Sequence, residues 1–209
     1  MPVRRAKRWW QHPALVWSGL VIALAVPIGL AMASPLLAWR QPVYIVAGFA
    51  GIAALGLLLI QPLLVAGVLP GLAGRLGRRG HGLIGALLVA AVLVHVGGLW
   101  VTSPPDVVDA LTFTSPTPFS VWGVMAMWGV LATALLAAVR RRLRLRPRTW
   151  RISHTSLAAL IVSGTIIHAL LIQGAMEPIS KAILCLLVAG VTGIILVRLR
   201  VWAGRRRPR

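Results

Sequence analysis

The chain has 209 residues, of which 58% are hydrophobic and only 12% are charged. A water-soluble domain carries roughly a quarter of its residues as charges, so this composition excludes a soluble enzyme and also a disordered basic protein. The formal net charge is +19, with 22 Lys and Arg against three acidic residues. Because the basic runs alternate with long apolar stretches, we expect the chain's partner to be a lipid bilayer and not nucleic acid.

Six stretches are long enough to cross a membrane, since a span needs about 20 apolar residues. We therefore predict an all-α, six-helix transmembrane bundle, in which Pro27 and Pro62 kink the first two helices. The second span is expected to tilt or to end before Pro70. In chain order the spans are residues 14–33, 43–69, 81–101, 119–139, 152–174 and 180–202. The predicted domains are a basic cytoplasmic segment at 1–13, the six-span domain at 14–202 and a basic cytoplasmic tail at 203–209.

The first span shares some features with a signal peptide. Basic residues precede it, and Ala31-Met32-Ala33 resembles a cleavage site. Its apolar region of about 20 residues is longer than the 7–15 residues of a signal peptide, which favours a retained membrane helix.

The basic residues sort by side of the predicted membrane. Only Arg40 and Lys181 fall on one side, together with all three acidic residues, whereas the other 20 basic residues fall on the opposite side. Since positive charge marks the cytoplasmic side, we predict that both termini are cytoplasmic, in a bacterial inner membrane. The basic groups are the N-terminal segment, a loop after span 2 with Arg75, Arg78 and Arg79, the stretch Arg140–Arg151, and the end of the chain. Tryptophans at span ends are expected as interfacial anchors: Trp9, Trp10, Trp39, Trp100, Trp150 and Trp202.

One connection, residues 102–118, differs from the others. It is rich in proline, carries Asp106 and Asp109, and falls on the predicted outer side. Connections of this length in compact folds are often functional, although a simple link between helices is the alternative.

Four histidines lie on two predicted spans at matched spacing. His81 and His95 are 14 residues apart at span 3, and His154 and His168 are 14 residues apart at span 5. Fourteen residues return to nearly the same helix face about 21 Å further along. Because spans 3 and 5 run in the same direction, we predict that His81 faces His154 near the cytoplasmic side and His95 faces His168 near the outer side. His12, beside Pro13, is expected to be interfacial.

Two facing imidazoles in an apolar bundle are a ligand set for a six-coordinate haem iron. We therefore predict two haem b groups, with His81 and His154 as axial ligands of the inner iron and His95 and His168 as those of the outer one. Small residues are expected to leave a flat slot beside the ligands: Gly82, Gly85, Gly97, Gly98, Ser163 and Gly164. The expected propionate partners are Arg78, Arg79 and Arg151 at the inner level, and Lys181 or Arg40 at the outer level. In depth, Leu88 and Leu160 are expected between the two levels, as packing residues.

Two other classes of function stay open at this point. A histidine within the membrane can simply hydrogen-bond a neighbouring helix, so the chain is alternatively a cofactor-free scaffold or assembly protein. The other alternative is a His-dependent transporter. However, ligands about 21 Å apart cannot share one ion, and no carboxylate is available to complete a metal site or a proton relay. Cys185 is the only cysteine, which excludes an intrachain disulfide and covalent haem attachment.

The segments HGLIGALLVAAVLVH (His81–His95) and HTSLAALIVSGTIIH (His154–His168), on the third and fifth of six spans, resemble the ferric reductase-like transmembrane domain. That domain is shared by ferric reductases, NADPH oxidases and the haem-binding membrane subunit of the bacterial methionine sulfoxide reductase system. The resemblance covers about residues 40–202 and implies two b-type haems that carry electrons from the cytoplasmic side outward.

The tail after the last span is a departure from the family. Ferric reductases and NADPH oxidases continue into a flavin- and nicotinamide-binding region, for which residues 203–209 leave no room. We therefore expect an electron-transfer component without a flavin or nicotinamide site. Its donor would be a separate cytoplasmic flavin or NAD(P)H reductase or a quinone, and its acceptor a ferric chelate, oxygen, a quinone or a periplasmic protein. The arginines from Arg140 to Arg151 are a candidate docking surface, although the topology signal alone also explains them.

Overall fold

The computed structural model describes residues 12–198, which are helical without any strand and include six helices able to span a membrane. These are α1 (Pro13–Met32), α2 (Pro42–Ala66), α3 (Gly74–Thr102), α5 (Ser120–Val139), α6 (Pro147–Leu171) and α7 (Pro178–Arg198). A short helix, α4 (Pro104–Leu111), links α3 to α5. The predicted all-α, six-helix bundle of a multi-pass membrane protein is confirmed. The basic N-terminal segment up to residue 11 and the tail lie outside the described residues.

Proline and glycine set several of the helix boundaries. Proline suits a helix start because its missing N–H would have no intrahelical partner there. Gly67 ends α2 in the left-handed conformation (φ 64°), so the second span stops before Pro70, as expected. α1 and α2 continue through Pro27 and Pro62. The helices that begin with proline start at Pro13, Pro42, Pro104, Pro147 and Pro178.

The two histidine-bearing helices begin earlier than predicted. α3 starts at Gly74 and not at 81, so its arginines lie on the first helical turns and not in a loop. α6 starts at Pro147 and not at 152. Arginine is a good helix former, and its long side chain lets the charged group reach the membrane surface while the backbone stays helical. The first histidine of each helix therefore lies seven residues from the helix start.

The long connection at 102–118 contains α4. Pro104 occupies its first turn together with Asp106, whose negative charge is favourable at a helix N-terminus. Val107 is the buried residue of this helix. The turn that follows is held by side-chain hydrogen bonds among Thr112, Thr114, Ser115, Thr117 and Ser120.

The helices pack as two antiparallel hairpins around a central α7. The first hairpin is α2–α3 and the second is α5–α6; α2 and α6 both pack on α7, and α1 lies against α7 and α2. The centre is filled by apolar side chains such as Leu55, Leu184 and Val188. The backbones of α3 and α6 scarcely approach each other, so a gap between these two helices is spanned by their side chains.

The connections give the bundle two chemically different ends. We call the end with the links 67–73 and 140–146 the basic end, because arginines surround both links. The opposite end carries α4 and Glu177, and we call it the acidic end. At the acidic end Trp39 and Trp100 are exposed, as expected of interfacial anchors. Trp9, Trp10 and Trp202 lie outside the described residues.

Candidate functional site

The four intramembrane histidines meet as two pairs between α3 and α6. The ring centroids of His81 and His154 are 5.9 Å apart, with an angle of 73° between the ring planes. Those of His95 and His168 are 6.4 Å apart, at 77°. The structure thus brings together the residues that the 14-residue spacing placed at equal depth. We call them the basic-end pair (His81 and His154) and the acidic-end pair (His95 and His168).

Both imidazoles of the acidic-end pair are oriented by backbone carbonyls. Nδ1 of His95 lies 2.7 Å from the carbonyl oxygen of Ala47 on α2, and Nδ1 of His168 lies 2.9 Å from that of Phe119, just before α5. A carbonyl only accepts, so each Nδ1 carries the proton and donates, which leaves the lone pair of Nε2 free. This is the arrangement in which proteins hold metal-binding histidines.

Two glycines make room for these rings, one helical turn after each carbonyl. A Cβ added at Gly51 would lie 3.0 Å from Nδ1 of His95, and a Cβ added at Gly123 would lie 2.7 Å from Nδ1 of His168. Each hairpin therefore supplies one histidine, one carbonyl acceptor and one glycine. The sequence analysis missed both glycines, because they lie on α2 and α5 and only the packing register brings them to the rings.

The basic-end pair lacks such hydrogen bonds. Nδ1 of His81 and Nδ1 of His154 are buried and have no hydrogen-bond partner in residues 12–198, and the same holds for Oε1 of Gln61 and Nε of Arg151. The backbone of Gln61 lies near His81 without the geometry of a hydrogen bond. Buried polar atoms that lack a partner cost free energy. All four atoms belong to residues at the basic-end level of the bundle: Gln61 on α2, His81 on α3, and Arg151 and His154 on α6.

Trp150 stacks on the basic-end pair. Its ring centroid lies 5.0 Å from that of His154, with only 20° between the planes. Cζ of Arg140 lies 4.6 Å from the Trp150 ring centroid. Trp150 was expected as an interfacial anchor, and its contact with a histidine was not foreseen.

The small residues predicted to line a slot fall into two groups. A Cβ at Gly98 would meet the side chain of Ala47 at 2.7 Å, and one at Gly164 would meet the backbone of Trp122 at 2.9 Å, so these glycines serve close helix packing within each hairpin. Gly85 does the same against Gln61. The other three are in open or exposed positions: Gly82, Gly97 and Ser163.

The cations predicted as propionate partners differ in their surroundings. Arg78 and Arg79 are exposed on α3, and Arg151 is partly buried one helical turn before His154, with an Nε that has no partner among residues 12–198. Lys181 is only 8% exposed and donates from Nζ to the carbonyl of Ile172, the residue that ends α6 after His168. Arg40 is exposed and stacks on Tyr44 at 4.9 Å.

Apolar side chains separate the two pairs. Leu88 on α3 and Ile161 on α6 each lie seven residues from both histidines of their helix, and both are buried. Leu160, which was expected at this level, is 37% exposed. The neighbouring position, Ile161, therefore fills the layer between the pairs.

The number of available ligands limits what each pair could bind. In the described part of the chain, no three His, Cys, Asp or Glu side chains come together in a group that could hold a metal ion. Each pair offers two imidazoles, which is too few for an ion held by side chains alone but is enough for an iron whose other positions are filled by a porphyrin. Comparisons with protein-family models, with curated proteins and with solved structures found no match to this chain.

Proposed function

We propose that this chain is a membrane-embedded cytochrome b that passes electrons across the bilayer through two haems, each held by one histidine pair. The spacing of the rings carries the proposal. Two imidazoles that bind one metal from opposite sides, with bonds of about 2 Å, have their centroids about 6 Å apart. The two pairs have centroid separations of 5.9 and 6.4 Å. This reading agrees with the resemblance of both histidine segments to the ferric reductase-like transmembrane domain.

The surroundings of the acidic-end pair support the same conclusion. His95 and His168 donate through Nδ1 to carbonyls, so both rings are fixed in the form that binds a metal through Nε2. Gly51 and Gly123 leave the space that the rings occupy. The wide separation of the α3 and α6 backbones is what a flat cofactor between these helices needs.

Cationic side chains at each level suit the carboxylates of a haem. At the basic end, Arg151 has a buried Nε without a partner in residues 12–198, and a propionate would supply that acceptor. At the acidic end, Lys181 is buried and has one carbonyl partner, Ile172. An ammonium group has three donors, so Lys181 retains donors for a second acceptor.

Haem, when bound, supplies the ability to gain and lose one electron at a time. The chain's own residues provide the frame. The four histidines fix two sites about 21 Å apart along the helix axes. Leu88 and Ile161 fill the layer between them and exclude water. Burial and the hydrogen bonds of the ligands set the reduction potentials.

We place the basic end in the cytoplasm of a bacterial cell, because positive charge marks that side of the inner membrane. Electrons then enter at the basic-end pair from a separate donor, either a flavin or NAD(P)H reductase or a quinone. They leave near α4 to an external acceptor. α4 begins nine residues after His95, so it belongs to the connection that follows this histidine at the acidic end.

The deciding experiment is haem quantification in the purified protein after haem-replete expression. We expect two haem b per chain, a reduced-minus-oxidised b-type spectrum and electron paramagnetic resonance signals of bis-imidazole iron. A colourless protein would contradict the proposal and favour a scaffold whose histidines only join helices. Haem-free protein that moves a solute into vesicles would favour a transporter.

A further inference from the structure

A continuous stack leads from the aqueous surface of the basic end to the basic-end pair. Arg140 is exposed, Trp150 is partly buried, and His154 belongs to the pair itself. The Arg140–Trp150 distance of 4.6 Å is that of a cation–π contact, and the Trp150–His154 separation of 5.0 Å is that of stacked aromatic rings. A tryptophan that only anchors a helix at the membrane interface does not need contacts with an arginine and a histidine. These contacts therefore suggest a further role for Trp150.

The surface around this stack is strongly positive. Arg140, Arg141, Arg142, Arg144, Arg146 and Arg148 are all exposed. In the described part of the chain, the three acidic residues lie at the opposite end of the bundle, and none neutralises this surface. A surface of one sign beside a redox site attracts a partner of the opposite sign and raises its encounter rate.

We propose that Trp150, which contacts both Arg140 and His154, is the contact through which electrons enter the basic-end pair, and that the donor is a protein with an acidic surface around its redox group. This inference rests on the proposed function and identifies its entry point. One electron would pass from the donor to a haem iron that His81 and His154 would hold. No bond forms or breaks, and Trp150 lies on the path without being oxidised. Arg140 contacts the ring and contributes to the positive docking surface.

The test uses the full-length protein in nanodiscs, which expose both faces, with two small reductants of opposite charge. Photoreduced FMN is anionic and hexaammineruthenium(II) is cationic; each FMN hydroquinone gives up two electrons in successive one-electron steps and releases its protons to the buffer. Haem content and paramagnetic resonance are measured first, and stopped-flow absorbance then gives the reduction rate. The variants are Trp150→Leu and Arg140→Glu. The matched control is Trp128→Leu, an exposed tryptophan on α5.

We expect Arg140→Glu to slow reduction by FMN on the order of tenfold at low salt, to speed reduction by the ruthenium complex, and to lose both effects at high salt. Trp150→Leu should slow reduction by FMN and by the ruthenium complex by a similar factor, with the haem content unchanged. The Trp128→Leu control should keep the wild-type rates. Equal rates in Trp150→Leu and wild type would overturn the proposal. If Trp150→Leu loses the basic-end haem, the test rests on Arg140→Glu, because this variant leaves the Trp150–His154 stack in place. An unchanged rate of reduction by FMN in Arg140→Glu would then overturn the proposal.

Anionic lipid is the other candidate partner for these arginines, and the nanodisc composition separates the two. The rates are measured in nanodiscs of zwitterionic lipid and in nanodiscs with one-third anionic lipid. If the surface is open to a protein, the effect of Arg140→Glu on the reduction rates should persist in both. If the effect of Arg140→Glu disappears in anionic lipid, lipid headgroups cover the surface, and the proposal that a protein docks there is overturned. A wild-type protein without haem would instead refute the proposed function, so the two failures are distinguishable.

Discussion

The imidazole of His168 occupies the space next to Gly123, where a Cβ would lie 2.7 Å from Nδ1 and 2.9 Å from Cε1 of the ring. Nδ1 of the same ring donates to the carbonyl of Phe119, one helical turn before Gly123. The ring is therefore held from one side by a hydrogen bond and has no room to retreat toward α5. A glycine on one helix thus fixes where a histidine on the next helix can lie.

Replacing Gly123 by alanine should weaken haem binding at the acidic-end pair. The added methyl group must displace the His168 ring, and disturbing the residues that orient a metal ligand typically costs about 10–100-fold in affinity. We expect Gly123→Ala to be purified with close to one haem per chain, as measured by haem quantification. Gly48→Ala is the control, because a Cβ at Gly48 meets nothing within 4 Å. Full haem occupancy in Gly123→Ala would show that the ring tolerates the methyl group and would contradict this role of the glycine.

Alanine variants of the four histidines should fall into two classes. Because His81 pairs with His154 and His95 pairs with His168, His81→Ala and His154→Ala should lose the same haem signal. His95→Ala and His168→Ala should lose the other. Low-temperature optical spectra and paramagnetic resonance distinguish the two haems. Matching spectra for His81→Ala and His168→Ala would mean that the ligands pair differently from the rings in this structure.

The depth and pairing of the histidines were predictable because they depend on helix periodicity alone. Fourteen residues bring a helix back to nearly the same face, and two spans in the same direction place equal spacings at equal depths. The six spans were predictable for a similar reason, since bilayer thickness fixes the number of apolar residues. Helix starts were less predictable: the arginines of α3 and α6 continue the helix although their charge marks the membrane surface.

Contacts that depend on the register between helices could not be derived from the sequence. Gly51 and Gly123 lie on helices without histidines, and nothing in their local sequence distinguishes them from Gly98 or Gly164, which serve helix packing. The burial of Ile161 in place of Leu160 depends in the same way on a rotation of about 100° about the helix axis. α4 did leave a local signal, since Ser-Pro-Pro-Asp is a typical helix start.

The N-terminus of α7 should weaken at acidic pH. The carboxylate of Glu177 accepts hydrogen bonds from the backbone N–H groups of Ile179 (2.9 Å) and Ser180 (2.6 Å), which lower the pKa of Glu177 below the ordinary value of 4.5. A lowered pKa means that the cap is fully present above the ordinary value and is lost as the pH falls through the lower one. We expect a small decrease in melting temperature below about pH 4.5. Glu177→Gln should flatten this part of the pH profile. A profile that is identical in Glu177→Gln and wild type would contradict the capping role.

The two haems should differ in reduction potential, with the basic-end haem the higher. Hydrogen bonds from Nδ1 of His95 and His168 to carbonyls make these rings stronger donors, which stabilises ferric iron and lowers the potential of the acidic-end site. The Nδ1 atoms of His81 and His154 have no such partner among the described residues, and Arg151 lies close by. A nearby positive charge favours the reduced form.

A potentiometric titration followed by absorbance measures this difference directly. The wild-type protein should titrate in two waves. His81→Ala should keep only the wave of lower potential, and His95→Ala should keep only the wave of higher potential. Lys181 is buried near the end of α6, and its positive charge raises the reduction potential of the acidic-end haem. Lys181→Met should therefore lower the potential of the acidic-end wave and widen the separation between the two potentials. Arg151→Gln should lower the potential of the basic-end wave and narrow the separation between the two potentials. The reverse order of the two waves would contradict the argument from the hydrogen bonds.

This order of potentials would make outward electron transfer depend on the membrane voltage. With the basic end in the cytoplasm, as proposed, an electron that moves from the basic-end pair to the acidic-end pair goes to a lower potential, which is unfavourable by itself. It also moves toward the positive side of the membrane, and crossing the whole membrane releases about 2.3 kcal/mol per 100 mV. In liposomes with donor inside, an inside-negative potassium diffusion potential should therefore speed reduction of an external acceptor. An ionophore that removes the voltage should slow it to the resting rate. An acceptor rate that does not respond to the imposed voltage would mean that transfer between the two pairs does not limit the flux.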